Sequence, residues 1–238
     1  MVSRITLGEI SVDVVLKNIK NVHLSVYPPT GRVRISAPAG MSLDTIRVFA
    51  ISKLGWIKKQ QAKLRQQERE TPRVFIDRES HYLWGKRYLL TICEHDAAPV
   101  IELKHRKMHL WVRPGTDEGK RRALVDRWYR EQIKKAVPPL LAHWQPVLGV
   151  KVETFFVRRM RTLWGSCNFR AHTIRLNTEL AKKAPECLEY IVVHELMHLL
   201  EPTHNAHFVE LMNRHLPHWQ SLRDELNRVP LGHEDWGY

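Results

Sequence analysis

Cysteine is scarce in this sequence: the 238 residues include three, Cys93, Cys167 and Cys187. They are far apart, odd in number and never arranged as a C-x-x-C pair. Disulfide-rich small domains and cysteine zinc sites both depend on such pairs. The sequence therefore indicates neither of these two kinds of stabilisation.

Long apolar runs are missing as well. No apolar segment typical of a signal peptide follows the first residues, and no run of 18 apolar residues is present to span a membrane. Internal repeats, low-complexity tracts and recognised DNA- or RNA-binding motifs are also lacking. We expect a globular chain in the reducing cytoplasm, without a membrane partner.

Acidic residues are few beside basic ones, 25 against 38, which gives a formal net charge of +13. The first 184 residues carry 35 basic and 16 acidic side chains, a net charge of +19. Residues 185–238 carry 3 basic and 9 acidic side chains, a net charge of −6, and hold seven of the 14 histidines. The basic part predicts an anionic partner such as a nucleotide or nucleic acid. The histidine-rich acidic end points to a metal.

Alternating patterns and turn residues predict a mixed, α+β fold. Strands are expected over 10–14, 22–26, 33–36, 82–93, 100–103, 109–112, 150–157 and 173–177. One long helix is expected after the N-cap Ser42, and another, beyond residue 116, that Pro138-Pro139 should kink or break. The turn around Gly115 is the strongest boundary signal. We therefore predict a β-rich region with one long helix over 1–115 and a second domain over 116–238.

The segment His194-Glu195-Leu196-Met197-His198 contains the motif HExxH. Residues four apart share one face of a helix, so His194 and His198 can bind one Zn²⁺. Glu195 is offset by one position and can act on water at the metal as a general base. Apolar residues surround the motif, which favours a buried helix whose polar groups need strong partners.

A third protein ligand is expected among the residues that follow. Pro202 should end the motif helix at or just after Glu201, and a second helix should begin near Asn205. His204 shares the apolar face of that helix and is the preferred ligand, with His207 as the weaker choice. Glu201 either orients a ligand imidazole or is a solvated carboxylate at the helix end. The spacing also resembles the metzincin pattern, but Glu201 replaces its glycine, so we reject that assignment.

Three stretches together carry a family resemblance. They are the run from Arg159 to Cys167, the strand Ile174-Arg175-Leu176-Asn177, and the HExxH segment followed by His204 and Phe208. They resemble the YgjP-like family of predicted zinc metallopeptidases, similar to the SprT and WLM groups of gluzincin-like proteins. The resemblance implies a zincin-like core of helix, antiparallel sheet and helix over 116–238, with His194, His198 and His204 as zinc ligands and Glu195 as catalytic base. Thr203 stands where the family usually has Asn.

The stretch before the strand has two interpretations. Arg161, Trp164, Gly165 and Ser166 are candidate substrate-binding residues, because in relatives a strand edge above the metal pairs with an extended substrate. The purely structural interpretation is favoured: Trp164 is a core residue, Gly165 a turn residue and Cys167 a small buried residue. A nucleophilic role for Ser166 or Cys167 is not expected, since water at the zinc already supplies the nucleophile.

Three functions remain open from the sequence. The preferred one is a zinc-dependent peptidase acting on peptide or protein substrates. The alternative is a metal-dependent nucleotide pyrophosphatase, for example one acting on UTP, suggested by the basic part and its arginines. A nucleic-acid-associated protein with a basic surface is the third, and it would bind less tightly as salt rises.

Overall fold

The computed structural model describes residues 2–27, 30–66, 75–160 and 163–228. Within these ranges lie eleven β-strands, six α-helices and one short 3-10 helix, which confirms the α+β fold class. The described residues divide into two compact units, one within 1–70 and one within 71–238. Among them, no helix combines the length and the apolar character needed to cross a membrane.

The first unit contains a four-stranded sheet and two helices. Its strands are β1 (Val2–Leu7), β2 (Ile10–Lys17), β3 (His23–Tyr27) and β4 (Arg32–Pro38), in the order β1-β2-β4-β3. The central pair β2 and β4 is parallel, and the outer pairs are antiparallel. One face of this sheet and the two helices bury a separate small core. The strands predicted in this region are confirmed.

The single helix predicted after Ser42 is in fact two, α1 (Leu43–Ser52) and α2 (Leu54–Gln66). Ser42 caps α1 as predicted, because its side chain accepts a hydrogen bond from the Thr45 amide. At Lys53 the backbone turns more tightly, with its amide donating to the Ala50 carbonyl. The chain can interrupt the helix there because apolar residues on both sides of Lys53 remain in the same core. The rest of the predicted basic tail, beyond Gln66, lies outside the described residues.

The second unit begins with another four-stranded sheet. Its strands are β5 (Ser80–Leu83), β6 (Lys86–Glu94), β7 (Val100–Lys104) and β8 (Lys107–Val112), in the order β5-β6-β8-β7. The inward side chains of this sheet share one core with the long helix that follows. The division between units therefore comes earlier than the boundary predicted near Gly115, because burial joins this sheet to the C-terminal part.

The long helix α3 (Glu118–Leu148) runs through Pro138, Pro139 and Pro146, so the predicted break is not found. Each proline removes one backbone donor. A buried stripe at helical spacing continues on both sides of the prolines and compensates, through Val125, Tyr129, Ile133, Val137, Leu141, Trp144 and Leu148. The helix ends at Gly149, which adopts the left-handed conformation that glycine tolerates.

A three-stranded sheet and three helices complete the second unit. The strands are β9 (Thr154–Arg158), β10 (Gly165–Asn168) and β11 (Thr173–Asn177), in the order β10-β11-β9, so β10 is an edge strand. This sheet is mixed rather than antiparallel, because β11 runs parallel to β9. The 3-10 helix Thr178–Lys182 leads to α4 (Pro185–Met197), α5 (Ala206–His215) and α6 (Trp219–Arg228).

Candidate active site

Helix α4 presents the HExxH motif from the interior of the second unit. It begins with Pro185 at its first turn, where the missing amide costs no helical hydrogen bond. Its side chains are buried on nearly every side. The helix ends at Met197, earlier than the end predicted near Glu201, and His198 occupies the C-cap with near-helical backbone angles. His194 and His198 therefore still lie one turn apart, as their spacing predicts.

Three imidazoles meet at the C-terminal end of α4. One ring nitrogen from each of His194, His198 and His204 lies within 4.8 Å of the others. We call these residues the histidine triad. The Nε2 atoms of His194 and His204 are 3.0 Å apart. Two ligands held at 2.0–2.1 Å by one tetrahedral ion are about 3.3 Å apart, so the spacing is suited to a shared metal.

Glu201 holds this arrangement with two different groups. Its backbone carbonyl accepts a hydrogen bond from His198 Nδ1 at 3.1 Å, which leaves Nε2 of the neutral ring free to bind a metal. Its carboxylate accepts bonds from the amide and the hydroxyl of Thr203, at 3.1 and 2.8 Å. The sequence left open whether Glu201 orients a ligand or lies in solvent: the carbonyl orients His198, and the exposed carboxylate fixes the turn.

His204 lies in the loop before α5 and not on the apolar face of that helix. The expected helix does begin at the expected place, because the Asn205 side chain caps α5 by accepting from the Phe208 amide. His207 is 61% exposed, with Nδ1 3.9 Å from a Glu210 carboxylate oxygen. The weaker alternative thus lies outside the group of nitrogens that the structure brings together.

Phe208 supports all three imidazoles from one side. Its ring is 1% exposed, and its centroid lies 5.0, 4.9 and 4.8 Å from those of His194, His198 and His204. The sequence placed Phe208 on the apolar face of its helix but did not indicate this contact. The ring restricts the rotamers of the histidine triad and shields one side of it from water.

The electrostatics of the triad suit metal binding. Burial, with the charges of the other two histidines, lowers the pKa of His194 to about 3. Burial also lowers the pKa of His198. Metal ligands must be neutral imidazoles, so these two rings need lose no proton near neutral pH. Three imidazole nitrogens converging on one point fit a divalent metal such as zinc.

Glu195 is 4% exposed and lines one cavity together with His194, its neighbour in the chain. Burial raises the pKa of its carboxyl to about 8. One oxygen, Oε2, is buried without a hydrogen-bond partner in the described part of the chain. A buried carboxyl oxygen without a hydrogen-bond partner lowers the stability of the fold. Groups of this kind are often found in active sites.

Strand β10 passes against this carboxyl. A Cβ atom added to Gly165 would lie 2.5 Å from Glu195 Oε1 and 2.8 Å from Ile191 Cγ2. Gly165 does not have a positive φ, so backbone strain is not the reason for a glycine here. The reason is the close approach of Glu195 and Ile191, which leaves no room for a side chain. The predicted turn at Gly165 is therefore wrong: it is the first residue of a strand.

The other candidate substrate residues are placed differently. Trp164 is half-buried and packs against the core, whereas Ser166 faces the opposite side of the sheet from Gly165 by the alternation of a strand. Arg161 lies outside the described residues. Burial, followed by the charge of Glu195, raises the pKa of the Cys167 thiol to about 11, so no thiolate nucleophile is expected.

Asn177 fixes the segment that precedes β10, a role that the sequence did not reveal. Its side chain is fully buried and donates to the carbonyls of Met160 and Leu163, both at 2.8 Å. Its backbone amide donates to the Trp164 carbonyl at 2.9 Å. The only sequence signal was its position at the end of a predicted strand, where buried polar side chains often anchor loops.

A cavity adjoins His194 and Glu195 on the side of α6. Tyr190 and Arg223 line it together with apolar side chains. Tyr190 precedes His194 by one helical turn, so the helical period could have indicated its place. Arg223 comes from a distant segment and carried no such signal.

Comparison with known proteins identifies the family of this chain. The family model described as "YgjP-like, metallopeptidase domain" matches residues 20–229. Among solved structures, the zymogen of Pyrococcus abyssi abylysin, a metallopeptidase, is similar at 25% identity over 38% of this chain and 90% of its own, with a TM-score of 0.36. The metallopeptidase zymogen of Methanocaldococcus jannaschii jannalysin is similar at 22% identity over 40% of this chain and 86% of its own, with a TM-score of 0.32. No curated protein matches the chain. Because the family match spans most of the sequence, the chain belongs to the YgjP-like family of metallopeptidases, which are metal-dependent peptide hydrolases.

Proposed function

We propose that this protein is a zinc peptidase in which the histidine triad binds the metal and Glu195 is the general base. The observation that carries the proposal is the convergence of three imidazole nitrogens within 4.8 Å. Glu195, which lines a cavity together with His194, is a buried carboxyl with an unpartnered oxygen. The substrate class, peptides or proteins, is that of the family.

The donor set favours zinc over other divalent ions. Imidazole nitrogens suit zinc, whereas magnesium and calcium prefer oxygen ligands. Three protein ligands leave a fourth position open, as in catalytic zinc sites. Bound there, zinc would supply a Lewis acid that polarises the scissile carbonyl and acidifies water.

Glu195 has the position and the environment for proton transfer. Its carboxylate takes a proton from the water that attacks the scissile carbonyl, and delivers that proton to the leaving amine nitrogen when the C–N bond breaks. Burial matches this role, because it raises the pKa of the carboxyl towards the working pH, where a group can both accept and return a proton. Gly165 keeps the carboxyl close to the β10 backbone.

Strand β10 offers a surface for extended substrate. It is the edge strand of its sheet, and its first residue contacts Glu195. An edge strand can pair with a peptide through main-chain hydrogen bonds. In this proposal the backbone of residues 165–168, which includes Gly165 and Ser166, aligns the substrate. Trp164 forms an apolar wall, and Arg161 remains a candidate contact from the preceding segment.

Substitution of Glu195 tests the proposal. Glu195→Gln removes the base and keeps the shape, so peptide hydrolysis should fall by roughly 10²–10⁴-fold while one zinc per chain remains by metal analysis. His204→Gln should lose zinc, whereas His207→Gln, a matched control in the same segment, should keep both zinc and activity. Unchanged turnover by Glu195→Gln would contradict the proposal. Release of pyrophosphate from nucleotides without any peptide cleavage would also contradict it.

A further inference from the structure

The cavity beside Glu195 has the size of one amino-acid side chain. Its volume is about 170 Å³. For comparison, a 150 Å³ cavity in an apolar protein core holds one benzene molecule. The cavity opens next to His194 and Glu195, so a group that enters it belongs to the residue beside the scissile bond in the proposed reaction.

The walls of this cavity are apolar. Leu163 and Trp164 come from the segment before β10, Ile191 from α4 and Leu226 from α6. Leu226 is 1% exposed and Ile191 is 5% exposed, so two of the walls are fixed parts of the core. These walls can cover the aliphatic stem of a substrate side chain.

A permanent positive charge lies at one side of the cavity. Arg223 of α6 lines it, and its guanidinium carbon lies 5.0 Å from the centroid of the Trp219 ring, over its face. Trp219 is buried and stacks with Tyr190, so the arginine lies on a rigid support. Asp224 accepts from Nε and Nη2 of Arg223, both at 3.3 Å. Nη1 of Arg223 has no hydrogen bond among the described contacts.

The pair with Asp224 does not neutralise the cavity. Asp224 is 66% exposed and Arg223 is 47% exposed, and a surface pair of this kind is weak because water screens it. Glu195 also lines the cavity, but the zinc of the proposed function would oppose any negative charge on its carboxyl. With the metal in place, the cavity therefore presents net positive charge to a substrate.

We propose that this cavity is a specificity pocket in which Arg223 selects a carboxylate of the peptide substrate. Apolar walls cover the aliphatic part of the residue, and the planar guanidinium pairs with its carboxylate. The carboxylate can belong to a Glu or Asp side chain or to a peptide C-terminus. The inference rests on the proposed peptidase function and adds the substrate class.

Binding to the Glu195→Gln variant loaded with zinc tests the inference without turnover. Two peptides are compared by calorimetry, identical except for Glu or Gln at the residue next to the cleavage site mapped with the active enzyme. The Glu peptide should bind about tenfold more tightly, which corresponds to about 1.4 kcal/mol at 25 °C. This preference should weaken as salt increases, because Arg223 is half exposed.

Substitution of Arg223 provides the decisive comparison. When Arg223→Gln is added to the Glu195→Gln variant, the Glu and Gln peptides should bind with nearly equal affinity, so that the ratio of the two affinities is close to one. With Arg223→Lys instead, the variant should keep part of the preference for the Glu peptide. Arg214→Gln, a matched control, removes an exposed arginine that pairs with Glu210 on α5 and should leave the ratio unchanged. A ratio that persists after Arg223→Gln would overturn the inference.

The source of the carboxylate is resolved by a further pair of peptides. If the C-terminus is recognised, amidation of the peptide should weaken binding and Arg223→Gln should remove that difference. If a side chain is recognised, amidation should have no effect while the preference for Glu remains. Peptide hydrolysis with no carboxylate preference of either kind would refute this inference alone. A complete lack of peptide hydrolysis by the active enzyme would refute the proposed function itself.

Discussion

Gly165→Ala is the most informative single substitution in this protein, because it adds one methyl group next to the carboxyl of Glu195, the proposed general base. The new Cβ would lie 2.5 Å from Glu195 Oε1, 2.9 Å from Glu195 Cδ and 2.8 Å from Ile191 Cγ2. Ordinary van der Waals contacts of a Cβ atom begin at 3.4 Å. The carboxyl and the strand must therefore separate by about an ångström.

The size of the effect follows from that displacement. Overpacking of a close contact costs roughly 1–3 kcal/mol of stability, and each kcal/mol lowers the melting temperature of a protein of this size by about 2–4 °C. A shift of about 1 Å in a catalytic group can lower the rate about 100-fold. The substitution leaves all three histidines unchanged, and the atoms nearest to the new Cβ belong to Glu195 and Ile191, so zinc content should not change.

The assay combines steady-state hydrolysis of a peptide, metal analysis and thermal unfolding. We expect kcat to fall about 100-fold with one zinc retained. Gly55→Ala is the control, since Gly55 lies in helix α2 with no atom within 4 Å of an added Cβ. It should leave activity unchanged and, as a helical glycine replaced by alanine, should raise stability slightly.

A double-mutant cycle identifies the cause. If the methyl group collides with the carboxyl, Gly165→Ala should destabilise a Glu195→Ala protein less than it destabilises the wild type, because part of the contact is gone. Full kcat in Gly165→Ala, or equal destabilisation in both backgrounds, would refute the reasoning.

Two further substitutions test the support of the site and the first unit. Phe208→Leu should lower zinc affinity about 10-fold in a chelator competition, because groups that orient metal ligands have effects of this order. Met212→Leu, at a buried position of α5 with no ring contact to the triad, should not, and equal affinities would contradict the role of Phe208. Burial raises the pKa of Asp13, but hydrogen bonds from Arg32 and Arg4 outweigh it and hold the pKa below its ordinary value of 3.8. Asp13→Asn should therefore be less stable than wild type in urea at pH 7, and the difference should vanish as the pH falls through the lowered pKa; a constant difference down to pH 2 would show that the ion pairs are not its cause.

The meeting of the candidate metal ligands was predictable where their geometry is local. His194 and His198 are fixed by the helical period, and His204 lies only six residues further along the chain. His204 nevertheless lies in a loop and not on the face of α5, where the sequence predicted it. The turn fastened by Glu201 and Thr203 sets its position, and such a turn has no periodic signature.

The contacts that complete the site are long-range and had no signal in the sequence. Gly165 and Glu195 meet although 30 positions separate them, and Arg223 reaches the cavity from the last described helix. The fold shows the same limit: Pro138-Pro139 predicts a kinked or broken helix, but α3 continues through both prolines, because burial along it outweighs the lost hydrogen bonds. Tertiary packing decides each of these cases.

The bond between His198 and the carbonyl of Glu201 has a consequence for how this family can diverge. A backbone carbonyl is present whichever amino acid occupies the position, so replacement of the Glu201 side chain does not delete the acceptor that orients His198. The identity of the ligand tautomer is thus protected against most mutations at this position. Sequence drift at residue 201 can alter the neighbouring turn while leaving the acceptor for His198 in place, and alignments alone would understate the importance of this point in the chain.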